Sequence, residues 1–250
     1  MSTPVLKLKG LTRSFGGLIA VNNVDFELPG GALHAIIGPN GAGKTTLFNL
    51  ISGMLASDRG AIYLYDREIT GLAPYRISQL GIARTLQIKS VFDRLSVFDN
   101  VWIAAHSRAR FLNPLKPARS YLATAEKVDK ILSDVGLTEL RNENAGNLSY
   151  GDVALLEMAI ALATDPVLLL LDEPVAGMSH VETERMVAKI KALKKSVNII
   201  LVEHDMETVF NVAERITVMT NGSILTEGLP DQIAKDARVQ EAYLGQPEEA

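Results

Sequence analysis

A glycine-rich segment in the first fifth of the chain carries the residue types that bind phosphate. The segment consists of Gly38, Pro39, Asn40, Gly41, Ala42, Gly43, Lys44, Thr45 and Thr46. Two of its glycines stand five residues apart and precede Lys and Thr, which is the spacing of a phosphate-binding loop. Because glycine has no Cβ, consecutive backbone N–H groups can approach an anion closely. The Lys44 ammonium would then contact the β- and γ-phosphates of a nucleotide, and the Thr45 hydroxyl would bind Mg²⁺.

The residues on either side of this loop favour the same interpretation. Residues 33–37 form an apolar run that predicts a buried strand, and residues 45–51 have the character of a helix. A helix that begins at the loop adds the positive end of its dipole to the attraction for phosphate. The alternative is a glycine-rich turn with an incidental lysine, and the flanking strand and helix argue against it.

A pair of acidic residues forms the second group that could do chemistry. Asp172 and Glu173 follow residues 167–171, a continuous apolar run typical of a strand buried on both faces of a parallel sheet. Ligands of such sheets gather at the carboxyl ends of the strands, so both acids are expected to face the phosphate loop. Asp172 suits Mg²⁺, directly or through water, and Glu173 suits the polarisation of an attacking water. The alternative, two acids that only cap a helix, fits less well with the apolar run and with Pro174.

Composition limits the classes of protein to consider. The 250 residues are 47% hydrophobic and 22% charged, as in ordinary soluble domains, and a net charge of −4 makes a general nucleic-acid-binding surface improbable. The absence of cysteine excludes disulfides, thiolate metal sites and thiol catalysis. Residues 1–10 lack the apolar core of a signal peptide, and no apolar run is long enough to cross a bilayer. We expect a cytoplasmic chain whose membrane role, if any, depends on a partner.

The order of strand and helix patterns predicts an α/β fold. Strand patterns occur on both sides of a turn within residues 4–30, at 33–37, 61–65, 167–171 and 197–202, and around the hairpin signal at 221–222. Helical patterns occur at 74–80, in two segments between 96 and 135 that are broken at 113–114 and 116–117, from 151 to 165, at 181–195 and in the tail. We expect residues 89–149 to form a helical subdomain inserted into a core made of residues 1–88 and 150–250. Trp102 is expected to be a core residue of that subdomain.

Five motifs in a fixed order resemble the ATP-binding cassette of ABC transporters. They are the phosphate loop, Gln87, the segment 148–152, the apolar strand that ends in Asp172-Glu173-Pro174, and the triplet 203–205. The resemblance extends from Phe15 to the Ala-Tyr-Leu-Gly sequence at 242–245. It implies a phosphate-loop NTPase core of the ABC ATPase type with an antiparallel β subdomain and an inserted α-helical subdomain. It also implies ATP and Mg²⁺ as cofactors.

The resemblance assigns roles to further residues around the nucleotide. Phe15 matches the aromatic residue that stacks on adenine. Gln87 matches the glutamine that touches Mg²⁺ and couples the site to a transmembrane partner. His204 matches the residue that contacts the γ-phosphate and holds Glu173 and the water in place, so the implied catalytic residues are Glu173, His204 and Lys44.

A separate motif is implied to act on a second cassette. Ser149, Tyr150, Gly151 and Asp152 correspond to the signature motif, which closes on the γ-phosphate bound by the other chain. The start of a helix suits this task, because its N–H groups and dipole favour an anion. Three positions depart from the commonest pattern: Tyr150 replaces glycine, Asp152 replaces glutamine and Ser179 replaces aspartate. Ser179 with Glu182 is typical of a capping box, which gives Ser179 a structural role as well.

Several segments narrow the resemblance to one group within the family. Residues 15–22, 81–87, 176–178 and 242–245 resemble the ATPase subunit of branched-chain amino-acid importers. The implied partners are two transmembrane permease subunits, a second identical or paralogous ATPase subunit and, indirectly, a solute-binding protein, with no nucleic acid. The chain would then lie on the inner face of the cell membrane. A lipopolysaccharide-extracting ATPase, a soluble cassette ATPase and a DNA-repair or translation ATPase are the alternatives.

Overall fold

The chain folds into a mostly parallel central sheet, a smaller antiparallel sheet and helices that pack on both. The computed structural model describes residues 3–85, 91–107 and 121–244. Its strands are β1 (Leu6–Phe15), β2 (Leu18–Leu28), β3 (Leu33–Ile37), β4 (Arg59–Leu64), β5 (Arg67–Glu68), β6 (Ile82–Arg84), β7 (Leu168–Asp172), β8 (Asn198–Val202), β9 (Arg215–Thr220) and β10 (Ser223–Gly228). Its helices are α1 (Lys44–Ile51), α2 (Pro74–Leu80), α3 (Val97–His106), α4 (Leu122–Val135), α5 (Tyr150–Ala163), α6 (His180–Leu193), α7 (Met206–Val212), α8 (Pro230–Lys235) and α9 (Ala237–Leu244).

The central sheet brings the two predicted chemical groups to one edge. Its strand order is β10-β9-β3-β8-β7-β6, and all neighbouring pairs except β9–β10 are parallel. Every residue of β3 and β7 is buried, as expected for strands covered on both faces. The carboxyl end of β3 leads into the phosphate loop, and that of β7 carries Asp172. One strand, β8, lies between them.

The antiparallel sheet packs against the phosphate-loop helix. Its order is β2-β1-β4-β5, and β2 alternates between buried Val24, Phe26 and Leu28 and exposed Asp25 and Glu27, as predicted. The turn between β1 and β2 contains Gly16 at φ +58°, a conformation that glycine adopts without strain. Residues of α1 share one hydrophobic cluster with both sheets. The position of α1, and with it the phosphate loop, is therefore fixed from two sides.

The helical part covers the opposite face of the central sheet. Helices α3, α4 and α5 pack against one another, and Val101, Val128 and Leu169 belong to one cluster that includes residues of the sheet. Ser96 caps α3 by accepting a hydrogen bond from the Asp99 N–H at 3.0 Å. Trp102 is half-buried at the edge of that cluster and stacks on His106 with 4.3 Å between ring centroids.

Most predicted elements are present, and the differences concern short ones. The hairpin at 221–222 is confirmed, with φ +47° at Asn221 and +77° at Gly222. Strands β5 and β6 and helix α7 were not predicted; the two strands have only two and three residues, which is too few for a clear periodicity. The predicted breaks at 113–114 and 116–117 lie outside the described residues. In the described part of the chain, no helix has the length and apolar character to span a membrane.

Candidate nucleotide-binding and catalytic site

The phosphate loop fills the turn between β3 and α1, and two close contacts fix its path. A Cβ at residue 38 would lie 2.2 Å from the carbonyl oxygen of Met219, and one at residue 43 would lie 2.2 Å from that of Ala20. Gly43 also has φ +98°, which disfavours any other residue. The loop is further tied to the β9–β10 hairpin, because the Gly222 N–H donates to the Ala42 carbonyl at 3.1 Å. Glycine is thus required at both predicted positions by packing.

Lys44 lies inside the curve of the loop. The side chain is buried, and its Nζ donates to the carbonyls of Gly38 at 2.6 Å and Pro39 at 3.0 Å. Burial lowers the pKa of Lys44 from its ordinary value, and the carboxylates of Glu173 and Asp172 oppose that shift. The ammonium is therefore held where the loop and the acidic strand meet, a position from which it can reach phosphate.

One cavity joins the residues expected to bind nucleotide. It measures 430 Å³, and its lining includes Phe15, Asn40, Lys44, Thr45, Thr46 and Glu173. Phe15 is exposed at its rim, and the Arg13 guanidinium lies 4.9 Å from the ring centroid. The aromatic ring at the rim suits the base of a nucleotide, and the cationic floor lined by backbone amides suits its phosphates. Gly41, Ala42 and Gly43 complete the floor.

Asp172 is held in one orientation at the end of β7. Its side chain is fully buried, and its Oδ2 accepts a hydrogen bond from the Arg84 guanidinium at 2.7 Å. The other oxygen, Oδ1, is buried without a hydrogen-bond partner in the described part of the protein. A buried carboxylate oxygen without a partner is unusual, because buried polar atoms are nearly always paired.

These donors fit a magnesium site. Asp172 Oδ1 and the Thr45 hydroxyl are hard oxygen ligands of the kind that Mg²⁺ prefers. In the described residues, no group of three or more His, Cys, Asp or Glu side chains could hold a metal alone. Beside nucleotides, Mg²⁺ is held by one or two protein oxygens together with phosphates and water.

Glu173 has an unusual backbone conformation that directs it toward the nucleotide cavity. Its φ is +50°, and its N–H donates to the Val202 carbonyl at 2.8 Å, so the strained turn is fixed by β8. The side chain is half-buried and its Oε1 lies 3.7 Å from His204 Nδ1. The predicted pairing of Glu173 with His204 is therefore present as a contact, and His204 is itself largely exposed.

Glu203 is a structural member of the site; it was included in the triplet 203–205 of the sequence motifs but was given no role. Its carboxylate is fully buried and accepts hydrogen bonds from the N–H groups of Val175 and His204, both at 3.1 Å. Burial raises the pKa of Glu203, and these hydrogen bonds act in the opposite direction. The residue ties the segment after Glu173 to the segment that carries His204. An acid directly after the apolar strand β8 was the available signal.

The signature residues start helix α5. Ser149 caps the helix, because its Oγ accepts from the Asp152 N–H at 3.2 Å and donates to Asp152 Oδ2 at 2.8 Å. The other oxygen, Asp152 Oδ1, is paired with Arg185 at 2.7 Å. Asp152, which stands where glutamine is usual, therefore has a carboxylate that is bound by Ser149 and Arg185 of the same chain.

A second carboxylate reaches the same helix start from α6. The Gly151 N–H donates to Glu182 Oε1 at 3.2 Å, and Glu182 Oε2 accepts from the Ser179 N–H at 3.0 Å and its Oγ at 2.7 Å. The predicted capping box of Ser179 and Glu182 is confirmed. Hydrogen bonds from the Ser179 hydroxyl, and then from the N–H groups of Ser179 and Gly151, lower the pKa of Glu182. The anion at this helix start is thus a carboxylate of the same chain.

The structure separates the signature residues from the nucleotide cavity. None of Ser149, Tyr150, Gly151 and Asp152 contributes to the lining of that cavity as described. Tyr150 instead lines a second cavity of 260 Å³ together with Asp172 and Glu173. Gln87 lies outside the described residues.

Comparison with known proteins agrees with this site. Residues 21–176 match the family model described as "ABC transporter", and residues 223–249 match that of the "Branched-chain amino acid ATP-binding cassette transporter". The chain is 40% identical to the high-affinity branched-chain amino acid transport ATP-binding protein LivG of Escherichia coli, over 98% of this chain and all of LivG. It is 32% identical to the lipopolysaccharide export system ATP-binding protein LptB of Acidithiobacillus ferridurans, over 96% of this chain and 97% of LptB.

A solved structure shows the same fold at full length. The ADP conformation of MJ1267, an ATP-binding cassette of an ABC transporter, superposes with a TM-score of 0.85 at 30% identity, covering 98% of this chain and all of MJ1267. The phosphate loop, the acidic strand and the matched family model lie on the same part of this chain. The chain therefore belongs to the ABC transporter family as an ATP-binding cassette and is an ATPase.

Proposed function

We propose that this chain is the ATP-hydrolysing subunit of an importer for branched-chain or related amino acids. The observation that carries the proposal is the match of residues 223–249 to the family model specific for branched-chain amino-acid cassettes. The 40% identity to LivG over nearly the whole chain supports it. The lipopolysaccharide-extraction alternative is supported less well, because the identity to LptB is 32%.

Within one chain, the phosphate loop binds ATP and Glu173 acts as the base. Loop N–H groups and Lys44 hold the β- and γ-phosphates, Phe15 stacks on adenine, and Glu173 with His204 orients the attacking water. Thr45, Asp172 and Gln87 would hold Mg²⁺, whose charge offsets the negative charge of the phosphates. The site acts mainly by placing charge where the transition state needs it.

Two cassettes would enclose two ATP molecules, each between one phosphate loop and the opposite signature motif. The exclusion of the signature residues from the chain's own nucleotide cavity supports this arrangement. The partner cassette is identical or paralogous. We further propose that residues 89–149 are the helical subdomain, which ends at the start of the signature, while residues 1–88 and 150–250 form the core with its β subdomain.

We propose that the two permease subunits contact a groove beside strand β6. The groove measures 240 Å³, and its lining includes Met54, Pro74, Ile77, Ile160 and Thr85, the residue that follows β6. Met54 is 56% exposed, so it offers apolar surface to a partner. Thr85 precedes Gln87, the residue implied in coupling, by two positions in the sequence, which supports the choice of this groove. This contact would keep the chain on the inner face of the membrane.

A pull-down of the tagged chain from its native membranes in mild detergent tests the proposal. Recovery of two permease subunits, a second cassette ATPase and an amino-acid-binding protein is the expected result. Partners of a lipid-extraction system would support the lipopolysaccharide alternative, and recovery without membrane partners would reject the transporter assignment. Met54→Asp should abolish the recovery of permeases, whereas Leu229→Asp, which changes an exposed apolar residue outside the groove, should not.

A further inference from the structure

Arg84 is a buried cation next to the acidic strand that the proposed mechanism does not use. It is the last residue of β6 and pairs with Leu170 of β7, two positions before Asp172. Only 9% of its side chain is exposed, and the Asp172 side chain is fully buried. Charged side chains this deeply buried need a partner, because desolvation of each charge is costly.

The Arg84 guanidinium bridges the acidic strand and the phosphate-loop helix. One terminal nitrogen donates to Asp172 Oδ2 at 2.7 Å. The other donates to Asn49 Oδ1 at 2.7 Å and to Ser52 Oγ at 3.2 Å, at the last turn and C-cap of α1. The planar fork of arginine allows such a bridge, which a lysine ammonium cannot reproduce with the same geometry. The fork therefore links two elements that each carry a part of the nucleotide site.

The bridge also divides the two oxygens of Asp172 between different tasks. Oδ2 is engaged by Arg84, while Oδ1 is buried and has no hydrogen-bond partner in the described residues. The Asp172 N–H donates to the Thr85 hydroxyl at 3.4 Å, so the adjacent residue holds the backbone of the same aspartate. Without Arg84, the carboxylate could rotate, and neither oxygen would be reserved for a ligand.

We infer that Arg84 is a positioning residue for the metal–nucleotide complex: it fixes Asp172 so that Oδ1 serves Mg²⁺. This inference rests on the proposed magnesium site at Asp172. Arg84 does not need to touch the nucleotide, since it acts through Asp172 on one side and through α1 on the other. Groups that orient a metal ligand typically change metal affinity by about 10- to 100-fold when removed.

The test measures the Mg²⁺ dependence of nucleotide binding rather than turnover. A fluorescent ADP analogue is titrated against the purified chain in EDTA and then at increasing Mg²⁺, for the unaltered protein, Arg84→Met and Arg84→Lys. For Arg84→Met we expect the Mg²⁺ concentration at half-maximal enhancement to rise at least about 10-fold, with affinity in EDTA unchanged. Arg84→Lys keeps the charge and should recover part of the shift. An unchanged Mg²⁺ dependence in Arg84→Met would overturn the inference.

Three further variants separate the causes of each result. Asn49→Ala removes one arm of the bridge without touching Arg84 and should shift the Mg²⁺ dependence in the same direction by less; it also serves if Arg84→Met does not fold. Arg141→Met breaks an Arg–Asp pair in the helical part, with Asp129 at 2.6 Å, and should change nothing at the site. If Asp172→Asn leaves the Mg²⁺ dependence unchanged, the proposed magnesium site itself fails and the inference fails with it. If Asp172→Asn shifts the Mg²⁺ dependence and Arg84→Met does not, only the role of Arg84 is rejected.

Discussion

The phosphate loop and the signature motif both stand at the start of a helix, but they are built differently. The phosphate loop follows a buried strand and presents backbone groups. Two of its glycines are required because a Cβ would lie 2.2 Å from a neighbouring carbonyl oxygen, and its lysine is buried. The start of α5 is surrounded by side chains of α6, where Glu182 and Arg185 bind Gly151 and Asp152. One anion site is shaped by the backbone, while the other already holds a carboxylate.

This difference indicates which of the two regions, the phosphate loop or the signature motif, can bind nucleotide without a second chain. The phosphate-loop half combines Lys44, the loop and Glu173 in one cavity of a single chain. The signature half can accept a phosphate at the Gly151 N–H only after Glu182 has moved away. Substitutions in the first half should therefore change the chemistry or affinity of the single chain, and those in the second should act when two chains meet.

The largest expected effect is that of Glu173→Gln. The amide cannot accept the proton of the attacking water, so we expect hydrolysis to fall by about 100- to 10,000-fold. ATP binding should persist, since Lys44 and the loop are unchanged. Single-turnover hydrolysis and equilibrium binding of ATP measure the two properties separately. Normal turnover in this variant would reject Glu173 as the base.

Lys44→Ala should have the next largest effect, and on binding. The variant loses charge-assisted hydrogen bonds to the β- and γ-phosphates, each contributing about 1.5–3 kcal/mol, so the loss of two of them should lower the affinity by at least about 100-fold. Isothermal titration with ADP and ATP provides the measurement. Lys7→Ala, which removes a half-buried lysine of β1 that pairs with Glu27, is the control. Unchanged nucleotide affinity in Lys44→Ala would contradict the assignment of the loop.

Acid should destabilise the half that carries the phosphate loop through His34. This residue is fully buried in β3, its Nε2 is 2.8 Å from Thr217 Oγ1, and burial, with a smaller contribution from Arg215, lowers its pKa from 6.5 to about 4. Between these values the unfolded chain binds the proton more readily, so the free energy of unfolding falls as the pH decreases from 6.5 toward 4. The His34 contribution to this loss is about 2 kcal/mol at pH 5.

A comparison with His34→Gln isolates this contribution, because other groups, Glu203 among them, also titrate in acid. Urea unfolding of both proteins at pH 7.5 and pH 5 gives the difference between their losses. We expect the unaltered chain to lose more than the variant. Equal losses would show that His34 does not titrate as its burial indicates.

The sequence predicted the phosphate loop, which is built from backbone groups, in more detail than the surroundings of the signature motif, which are built from side chains. Gly38, Gly43 and Lys44 have a fixed spacing within seven residues, and apolar runs mark β3 and β7 directly. Glu182 and Arg185 contact Gly151 and Asp152 across more than 30 residues, and that pairing depends on how α6 packs beside α5. The contact between Arg84 and Asp172 likewise depends on how two elements align, here β6 with β7. Strand β6 is too short to be recognised from periodicity.

Glu182→Gln should have the smallest effect, and it tests the comparison most directly. Gln keeps the size of the side chain and an acceptor for Gly151, but it removes a negative charge from the helix start. We propose that this helix start meets the partner's phosphate. Arg185 pairs directly with Asp152 and also acts on Glu182 through its charge, so one cation faces two carboxylates. Removal of one charge near a helix N-terminus should strengthen ATP-driven association of two cassettes by about two- to fivefold.

The measurement is light scattering of the chain at increasing ATP concentrations in a Glu173→Gln background, where hydrolysis does not reverse association. Glu184→Gln on the same helix, where the carboxylate is exposed and contacts His180, is the matched control. Nucleotide affinity of the single chain should be equal in all three proteins, because Glu182 lies outside the phosphate-loop cavity as described. Weaker association in Glu182→Gln would mean that the carboxylate supports the signature motif and does not compete with phosphate. In that case the Ser179–Glu182 capping box would hold Gly151 in place for the partner's nucleotide.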